Sequence, residues 1–473
     1  MKKKLLSLTL FIYCATLTAQ CFTNFISYDL KHYALKTDGT LWIKGFNTND
    51  YFGLGNTATI PEFIQFGNDT DWTVNIAMSS SFTLAIKSNG TLWGWGVDMA
   101  VAGGIPSQIV PPPYTPPTQI GTDTNWAKVV TDGTSTLAIK TDGTLWAWGT
   151  NVGGRLGFPS VPVNSDVFIL TQVGTDTDWR DAFVGASAVS CAIKTDGTLW
   201  TWGGNGIRIG YPNATVNDAY RSPHQLGNAT WKTATIGGFG QSFVFFGVKT
   251  DGTLWAWGST GAFTGTYYFG NGQATYSSEV PEQIGTATDW KKITTQWTTI
   301  GLKTNGTLWG WGRNTGYELG LGTGNNTNVL FPTQIGSSTD WHTIEVDKGN
   351  GSKLRAIKDD SSIYVAGYYN PSGTYNVVPT LFSPFGCDLD VAVFNTPLFT
   401  AYPNPFRDNI TFEMKEQVEA FELALYNLLG QQVQAIKSNT LSYTFDTSNL
   451  PNGIYTALIT VNGKQEAVKI CKY

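Results

Sequence analysis

The chain has 473 residues, of which 53 are Gly, 18 are Trp and only 14% are charged. Globular chains are ordinarily about one quarter charged. So many Trp residues with so little charge exclude a disordered acidic chain, and the abundant Gly excludes a coiled coil. The composition instead predicts β-structure with many turns. The net charge of -5 and the pI of about 5.3 give no basic footprint for nucleic acid.

The N-terminus has the layout of a secretory signal peptide. A positive segment, residues 2–4, precedes the apolar run 5–17, and the small residue Ala19 follows. The run has 13 residues, fewer than the roughly 20 that span a bilayer. We expect residues 1–20 to be removed during export to the periplasm, and a lipid attached to Cys21 is the alternative.

One motif occurs seven times through the middle of the chain. Its clearest copy, Ala138–Gly149, reads Ala-Ile-Lys-Thr-Asp-Gly-Thr-Leu-Trp-Ala-Trp-Gly. Successive copies are 51, 53, 54, 55, 54 and 55 residues apart. Their central position is occupied by Trp42, Trp93, Trp146, Trp200, Trp255, Trp309 and, in a degenerate seventh copy, Tyr364. A second series runs in phase with it and comprises Trp72, Trp126, Trp179, Trp231, Trp290 and Trp341.

Each copy predicts about four short strands. Asp142-Gly143 favours a tight hairpin between the Ala-Ile-Lys strand and the Leu-Trp-Ala-Trp strand, and in the seventh copy this turn has decayed to Asp359-Asp360. A strand led by a Trp and a Pro-x-Gln-Ile-Gly segment complete the unit. Four strands recurring about every 54 residues predict an all-β fold, a seven-bladed β-propeller over residues 21–394. Stacked blades would bury the repeat Trp residues as core.

The segment after the Trp strand adds a family resemblance. Gly149, Asn151 and Arg155-Leu156-Gly157 recur as Gly312, Asn314 and Glu318-Leu319-Gly320. With the preceding motif, this resembles the regulator-of-chromosome-condensation repeat family of seven-bladed propellers, over residues 21–390. The seventh copy departs most, and the first has Lys44 where others place a second Trp. The resemblance implies the fold but no activity, and the guanine-nucleotide exchange of eukaryotic relatives is not expected of an exported bacterial protein.

The ring must also close, because an open propeller would leave exposed sheet edges. Counting back from Lys36 places Cys21 in the first Trp position, and counting forward places Cys387 four positions before the next one. We therefore expect the chain's start and end to share one blade, where a Cys21–Cys387 disulfide would latch them. Two unpaired thiols are the alternative, and we expect Cys191 to be buried filler.

The last seventy residues differ in composition. After a linker at 395–401, residues 402–473 show alternating strands with Asn-Gly turns, which favour a small β-sandwich. The opening Tyr402-Pro403-Asn404-Pro405 and the later Gly453-Ile454-Tyr455 resemble the type A C-terminal sorting domain of the bacterial type IX secretion system. That resemblance implies handling by the type IX machinery and a secreted or cell-surface location. An ordinary accessory sandwich is the alternative.

Catalytic and metal-binding patterns are not evident in the sequence. The three His residues, His32, His224 and His342, fall in different repeat positions, so we expect no metal site. No nucleophile elbow or phosphate loop stands out, so we expect no cofactor and no enzymatic activity.

The variable loops after each Trp-Gly strand should share one face of the ring. Tyr on Gly- and Ser-rich loops is a common recognition chemistry, so the candidate binding residues are Tyr114, Tyr267, Tyr268, Phe269 and Tyr317, with loop packing as the alternative. We expect an exported binding or adhesion module for an extracellular protein or glycan. A secreted inhibitor of another enzyme, known for a propeller that inhibits beta-lactamase, and a polysaccharide hydrolase are alternatives.

Overall fold

A computed structural model describes the protein in two compact units. One comprises Cys21–Cys387 and the other contains Asp388–Tyr473. The residues described are 22–97, 99, 115–185, 188–204, 209–212, 220–239, 242–260, 268–274, 276–346, 353–368, 375–383, 399–415, 420–427, 431–461 and 464–473. Within these ranges no helix is long and apolar enough to cross a membrane. Cys21 and Cys387 lie outside them, so the disulfide stays a prediction.

The first three blades are four-stranded antiparallel sheets, each built from consecutive strands. Blade 1 comprises β1 (Phe22–Tyr28), β2 (Lys31–Lys36), β3 (Leu41–Gly45) and β4 (Ile60–Gln65). Blade 2 comprises β5 (Trp72–Met78), β6 (Phe82–Lys87), β7 (Leu92–Gly96) and β8 (Thr115–Gln119). Blade 3 comprises β9 (Trp126–Thr131), β10 (Ser135–Lys140), β11 (Leu145–Thr150) and β12 (Asp166–Gln172).

Blades 4 and 5 share the long strand β16, which joins them into one seven-stranded sheet. Its first part pairs with β15 of blade 4 and its second part with β17 of blade 5. These blades comprise β13 (Trp179–Gly185), β14 (Val189–Lys194), β15 (Thr198–Gly203), β16 (His224–Phe239), β17 (Ser242–Lys249), β18 (Leu254–Ser259) and β19 (Ser277–Gln283).

Blades 6 and 7 return to separate four-stranded sheets. Blade 6 comprises β20 (Trp290–Thr295), β21 (Thr298–Lys303), β22 (Leu308–Gly312) and β23 (Val329–Gln334). Blade 7 comprises β24 (Trp341–Val346), β25 (Leu354–Lys358), β26 (Ile363–Tyr368) and β27 (Tyr375–Ser383).

The first strand of each blade lies innermost. These seven strands contact one another in the closed order β1, β5, β9, β13, β16, β20, β24 and back to β1. The predicted seven-bladed propeller is therefore the fold of this unit.

The repeat motif encodes one hydrogen-bonded hairpin turn. In blade 3, the Trp146 indole N–H donates to Thr144 Oγ1 at 2.8 Å, and that hydroxyl donates to Asp142 Oδ1 at 2.7 Å. Gly143 completes the turn at φ 78°. A Cβ there would lie 2.0 Å from the Thr177 carbonyl oxygen of the linker to the next blade. The glycine therefore serves both the turn's backbone conformation and the seating of the neighbouring blade.

The seventh turn is displaced by one residue from its predicted position. Lys358 aligns with Lys140 of blade 3, so Asp360-Ser361 occupies the Asp-Gly position rather than Asp359-Asp360. Asp360 accepts the Ser362 backbone N–H at 2.9 Å, and Ser361 adopts φ 67°. The turn thus persists with a serine in the left-handed conformation that glycine usually supplies.

Ring closure differs from the sequence expectation. Lys36 pairs with Phe22, as Lys87 pairs with Trp72 and Lys140 with Trp126. Phe22, and not Cys21, therefore occupies the first Trp position, and all four described strands of blade 1 are consecutive in sequence. The prediction of one blade shared by both chain ends is wrong for the described strands.

Side-chain packing joins blades 7 and 1 instead. Phe22, Phe25 and Phe63 of blade 1 form one buried cluster with Ile357 and Ile363 of blade 7. The hydrophobic cores of the propeller lie between consecutive blades in the same way, so each blade is stable only beside its neighbours.

The second unit is a β-sandwich, as predicted. One sheet has the order β28 (Phe399–Tyr402), β29 (Asn409–Met414), β32 (Ser442–Asp446). The other has the order β31 (Gln432–Ser438), β30 (Phe421–Tyr426), β33 (Gly453–Val461), β34 (Lys464–Lys472). Both sheets contribute to one buried core. Residues 399–401, assigned to the linker from sequence, belong to β28.

Two glycines at positive φ, Gly121 in the linker between blades 2 and 3 and Gly143 in a hairpin, predict unequal costs of substitution by alanine. Gly121 adopts φ 68°, and a Cβ added there would have no other atom within 4 Å, so Gly121→Ala should cost about 1 kcal/mol for the left-handed backbone alone. Gly143→Ala adds the overlap with the Thr177 carbonyl and should cost roughly 1–3 kcal/mol more. Urea unfolding of the two variants measures the difference, and equal free energies of unfolding would contradict the assigned role of Gly143.

Candidate functional site

The loop aromatics predicted to bind a ligand in blade 5 are part of the core. Tyr268 is 4% exposed and Phe269 is fully buried. Asn328 donates a hydrogen bond to the Tyr268 hydroxyl at 2.6 Å, and burial raises the pKa of that hydroxyl. The assignment of these two residues as ligand contacts is therefore wrong, and the loop-packing alternative describes them.

Tyr317 is the predicted loop residue that reaches the surface. It is half-buried, with its ring edge-to-face against Tyr375 at a centroid distance of 5.6 Å. Tyr375 is 47% exposed, so the pair is a small aromatic surface between blades 6 and 7. Tyr114 and Tyr267 lie outside the described residues, and their binding roles stay predictions.

The inner strands of the seven blades together line an axial channel. Its volume is about 480 Å³, and residues of all seven inner strands line it. Thr and Asn side chains such as Thr23, Asn24, Asn75 and Thr233 supply much of the wall. The channel wall therefore mixes polar and apolar side chains, unlike the apolar cores between the blades.

Two ion pairs cross between blades inside this wall. Lys128 of β9 pairs with Asp181 of β13. Lys292 of β20 pairs with Glu345 of β24 at 2.8 Å and also donates to Thr343 Oγ1 at 3.2 Å. Each pair ties neighbouring inner strands, and each places a cation near the axis.

More cations stand at the start of the inner strands, directly after the repeat Trp. Arg180 is exposed and donates to the Trp231 carbonyl at 3.0 Å, which lies on the next blade. Lys291 is exposed and donates to the His342 carbonyl at 3.3 Å. Lys232 is exposed at the equivalent position of blade 5. These residues form a basic arc on adjoining blades at one mouth of the channel.

The charge of this mouth opposes that of the chain. The described inner strands carry five Lys or Arg residues, which are Lys128, Arg180, Lys232, Lys291 and Lys292, and two acids, Asp181 and Glu345. Five minus two leaves an excess of three positive charges, in a chain whose net charge is -5. An excess of one sign of charge around a cleft concentrates ligands of the opposite sign. We call these seven residues the basic mouth.

Sequence reasoning missed the basic mouth although a signal was present. The residue that follows each inner-strand Trp changes from blade to blade, as in Ala127, Arg180, Lys232 and Lys291. Aligning the repeats on the Trp and comparing this one position would have shown the arc, since equivalent positions in a ring face one another.

The three His residues do not converge. His342 contacts Asp359 at 3.2 Å on the surface, and His224 contacts the Ser222 carbonyl at 2.6 Å. His32 is buried, and burial, followed by the charges of nearby cations, lowers its pKa well below the ordinary value. Across the described ranges, no group of three or more His, Cys, Asp or Glu side chains could hold a metal ion.

The predicted sorting-motif residues Tyr402, Asn404 and Tyr455 each form a separate hydrogen bond within the sandwich. Asn404 spans to β34, donating to the Lys469 carbonyl at 3.0 Å and accepting the Cys471 backbone N–H at 2.9 Å. Tyr402 donates to Glu413 at 3.0 Å on the surface. Tyr455 is buried and its hydroxyl donates to the Pro451 carbonyl at 2.6 Å. Asn404 thus links the segment after β28 to β34 of the other sheet.

Two family models match the chain. Residues 400–472 match the secretion system C-terminal sorting domain, and residues 305–351 match the regulator of chromosome condensation (RCC1) repeat.

Several curated relatives share the repeats at low identity. The mitochondrial RCC1 domain-containing protein RUG3 of Arabidopsis thaliana is 24% identical over 320 residues, which cover 63% of this chain and 66% of RUG3. The ultraviolet-B receptor UVR8 of the same plant is 23% identical over 308 residues, 62% of this chain and 64% of UVR8. Human E3 ubiquitin-protein ligase HERC2 is 26% identical over 239 residues, 50% of this chain and 5% of HERC2. The chain thus spans less than two thirds of the length of each.

Solved structures agree on the fold. Prp20p of Saccharomyces cerevisiae superposes with a TM-score of 0.54 at 18% identity, covering 72% of this chain and 83% of Prp20p. Human WBSCR16 superposes with a TM-score of 0.55 at 15% identity, covering 70% and 88% of the two chains. The solved structures therefore support the propeller fold, while the family models match an RCC1 repeat at residues 305–351 and a secretion system C-terminal sorting domain at residues 400–472.

Proposed function

We propose that the protein is an exported binding module whose basic mouth receives an acidic segment of an extracellular partner. The excess of three positive charges on the inner strands, in an otherwise acidic chain, carries this proposal. Lys232 and Lys291 are exposed, and each directly follows the repeat Trp of an inner strand. The sorting domain supports secretion or a cell-surface location, and the predicted signal peptide would deliver the chain to the type IX machinery.

A protein is the favoured class of partner. The structural report on Prp20p describes its binding to Gsp1p and histones, and yeast RCC1 has been solved bound to Kap60. These partners belong to those proteins, but they support protein recognition as a use of this propeller. An acidic glycan offers carboxylates to the same lysines and is the alternative that the experiment below separates.

Binding is favoured over hydrolysis by the state of the channel carboxylates. A glycosidase needs two available carboxyl groups about 5–9.5 Å apart. Asp181 and Glu345 instead each form an ion pair with a lysine of the neighbouring blade. The ion pairs of Asp181 and Glu345 support a structural role for these carboxylates. A secreted inhibitor would also act by binding a protein, so that alternative is one form of the binding proposal.

Charge reversal at the mouth tests the proposal. We expect the double variant Lys232→Glu and Lys291→Glu to bind a fluorescent oligoglutamate peptide about tenfold more weakly, since each exposed ion pair contributes roughly 0.2–1 kcal/mol and reversal adds repulsion. Fluorescence anisotropy at low and physiological salt measures the affinity, which should fall with salt.

The matched control is the double variant Lys232→Arg and Lys291→Arg, which keeps both charges and should bind as the parent protein does. Preference for an acidic polysaccharide over the peptide would favour the glycan class instead. Equal affinity of the Glu and Arg variants for both probes would contradict a ligand site at the mouth.

Removal of the sandwich tests the export component. A chain ending at residue 398 keeps the whole propeller but lacks the residues matched by the sorting-domain model. We expect it to accumulate in the periplasm, whereas the full chain reaches the cell surface or the medium. Immunoblotting of cell fractions and mass spectrometry of the released protein measure this, and normal release of the truncated chain would contradict the sorting role.

A further inference from the structure

A buried Trp seals most of the interfaces between consecutive blades. The second Trp of the outer hairpin strand, present as Trp95, Trp148, Trp202, Trp257 and Trp311, is fully buried in blades 2 to 6. Each packs into the core of the preceding blade, as Trp202 packs with Leu137 and Leu156 of blade 3. In these five interfaces, the indole ring therefore fills the core between consecutive blades.

The loop that follows the Trp-Gly strand of the preceding blade also contributes one apolar side chain to the interface. Phe52, Leu156, Phe269 and Leu319 are fully buried at the end of these loops. The glycine that follows lets the loop lie against the Trp, since a Cβ on Gly270 would be 2.9 Å from the Trp311 indole nitrogen.

Blade 7 lacks this Trp, yet its interface with blade 6 is closed. Ala366 occupies the position, and the blade 6 loop moves in against it. A Cβ on Gly320 would be 2.8 Å from the Ala366 methyl and 2.9 Å from Pro379 Cδ. In blade 7, the backbone at Gly320 and the ring of Pro379 therefore fill the space that an indole fills in blades 2 to 6.

The interface of blades 7 and 1 keeps a buried cluster but also lacks the Trp. Lys44 of blade 1 stands in the Trp position, and a cavity of about 470 Å³ lies beside it, within the roughly 300–1,000 Å³ range of small-molecule sites. Blade 1 contributes Phe46 and Ile60 to its walls, and blade 7 contributes Val365 and Phe382. We call this space the seam cavity.

The seam cavity combines apolar walls with a cation. Lys44 Nζ lies 5.0 Å from the centroid of the Phe382 ring and 3.4 Å from Glu62 Oε2. The Glu62 side chain is 84% exposed, so its pair with Lys44 is weak and replaceable. His32 also lines the cavity; burial and the charges of Arg355, Lys353 and Lys44 lower its pKa, so it is neutral and the local potential is positive.

We propose that the seam cavity binds a small planar aromatic carboxylate, with the ring between the blade 1 and blade 7 walls and the carboxylate at Lys44. The ring would take the place of the indole that fills five of the other six interfaces, and the carboxylate would take the place of Glu62. This site is separate from the basic mouth and does not depend on the proposed function. A free metabolite and the C-terminal aromatic residue of a peptide present the same chemistry.

Saturation-transfer NMR on the mature full chain tests this inference with indole-3-acetate as the probe. We expect a Kd of about 1 mM or tighter for a ligand of this size, and at least about tenfold weaker binding of indole-3-acetamide, which lacks the charge. A peptide ending in Trp, compared with its amidated form, distinguishes a peptide source from a free acid.

Two variants locate the site. Lys44→Trp restores the repeat residue, so it should abolish binding and raise the thermal midpoint by filling the cavity. Lys44→Met keeps the fold and the cavity but removes the charge. It should therefore bring the affinities for indole-3-acetate and indole-3-acetamide within about twofold of each other. No binding of indole-3-acetate by the parent chain, or an unchanged preference for it in Lys44→Met, would overturn the proposal.

Discussion

A lysine held between two aromatic rings is the interaction on which each blade depends. In blade 3, Lys140 Nζ lies 4.8 Å from the Trp126 ring and 4.0 Å from the Trp146 ring, and it pairs with Asp123 at 2.8 Å. One side chain thus connects the inner strand, the hairpin and the linker that enters the blade. The same contact recurs in every blade at Lys36, Lys87, Lys194, Lys249, Lys303 and Lys358. Each cation–π contact is worth roughly 0.5–2 kcal/mol, and seven copies explain why the motif is so regular.

Both proposed binding sites lie at positions that depart from this repeated unit. The basic mouth arises because the residue after the inner-strand Trp varies, and the seam cavity arises because Lys44 replaces a Trp. Blade 5 departs in another way: its linker residues 228–230 are Asn, Ala and Thr, so they offer Lys249 no carboxylate. The shared residues thus account for the stability of the blades, and both proposed binding sites lie at variable positions.

The sequence predicted the repeats, the hairpin turns and the terminal sandwich because each follows from local patterns. It misplaced the first Trp position because the separation between the Trp and its paired Lys is not fixed, ranging from 13 residues (Trp290 to Lys303) to 18 (Trp231 to Lys249). It misjudged Tyr268 and Phe269 because their burial depends on Trp311 of the next blade. It missed the basic mouth because those side chains come from different repeats and meet only when the ring closes.

The lysine clamp can be tested directly by NMR of the mature chain labelled with ε-13C lysine. The seven clamped lysines should show upfield ring-current shifts, assigned by Lys→Arg variants. Burial lowers the pKa of Lys194, but the nearby Asp176 and Asp178 have a larger effect, so the pKa of Lys194 is raised overall. Burial also lowers the pKa of Lys249, and Asp251 offsets this only in part, so the pKa of Lys249 is lowered overall. We therefore predict that Lys249 loses its proton at a lower pH than Lys194. Unshifted signals that titrate together would contradict the clamp.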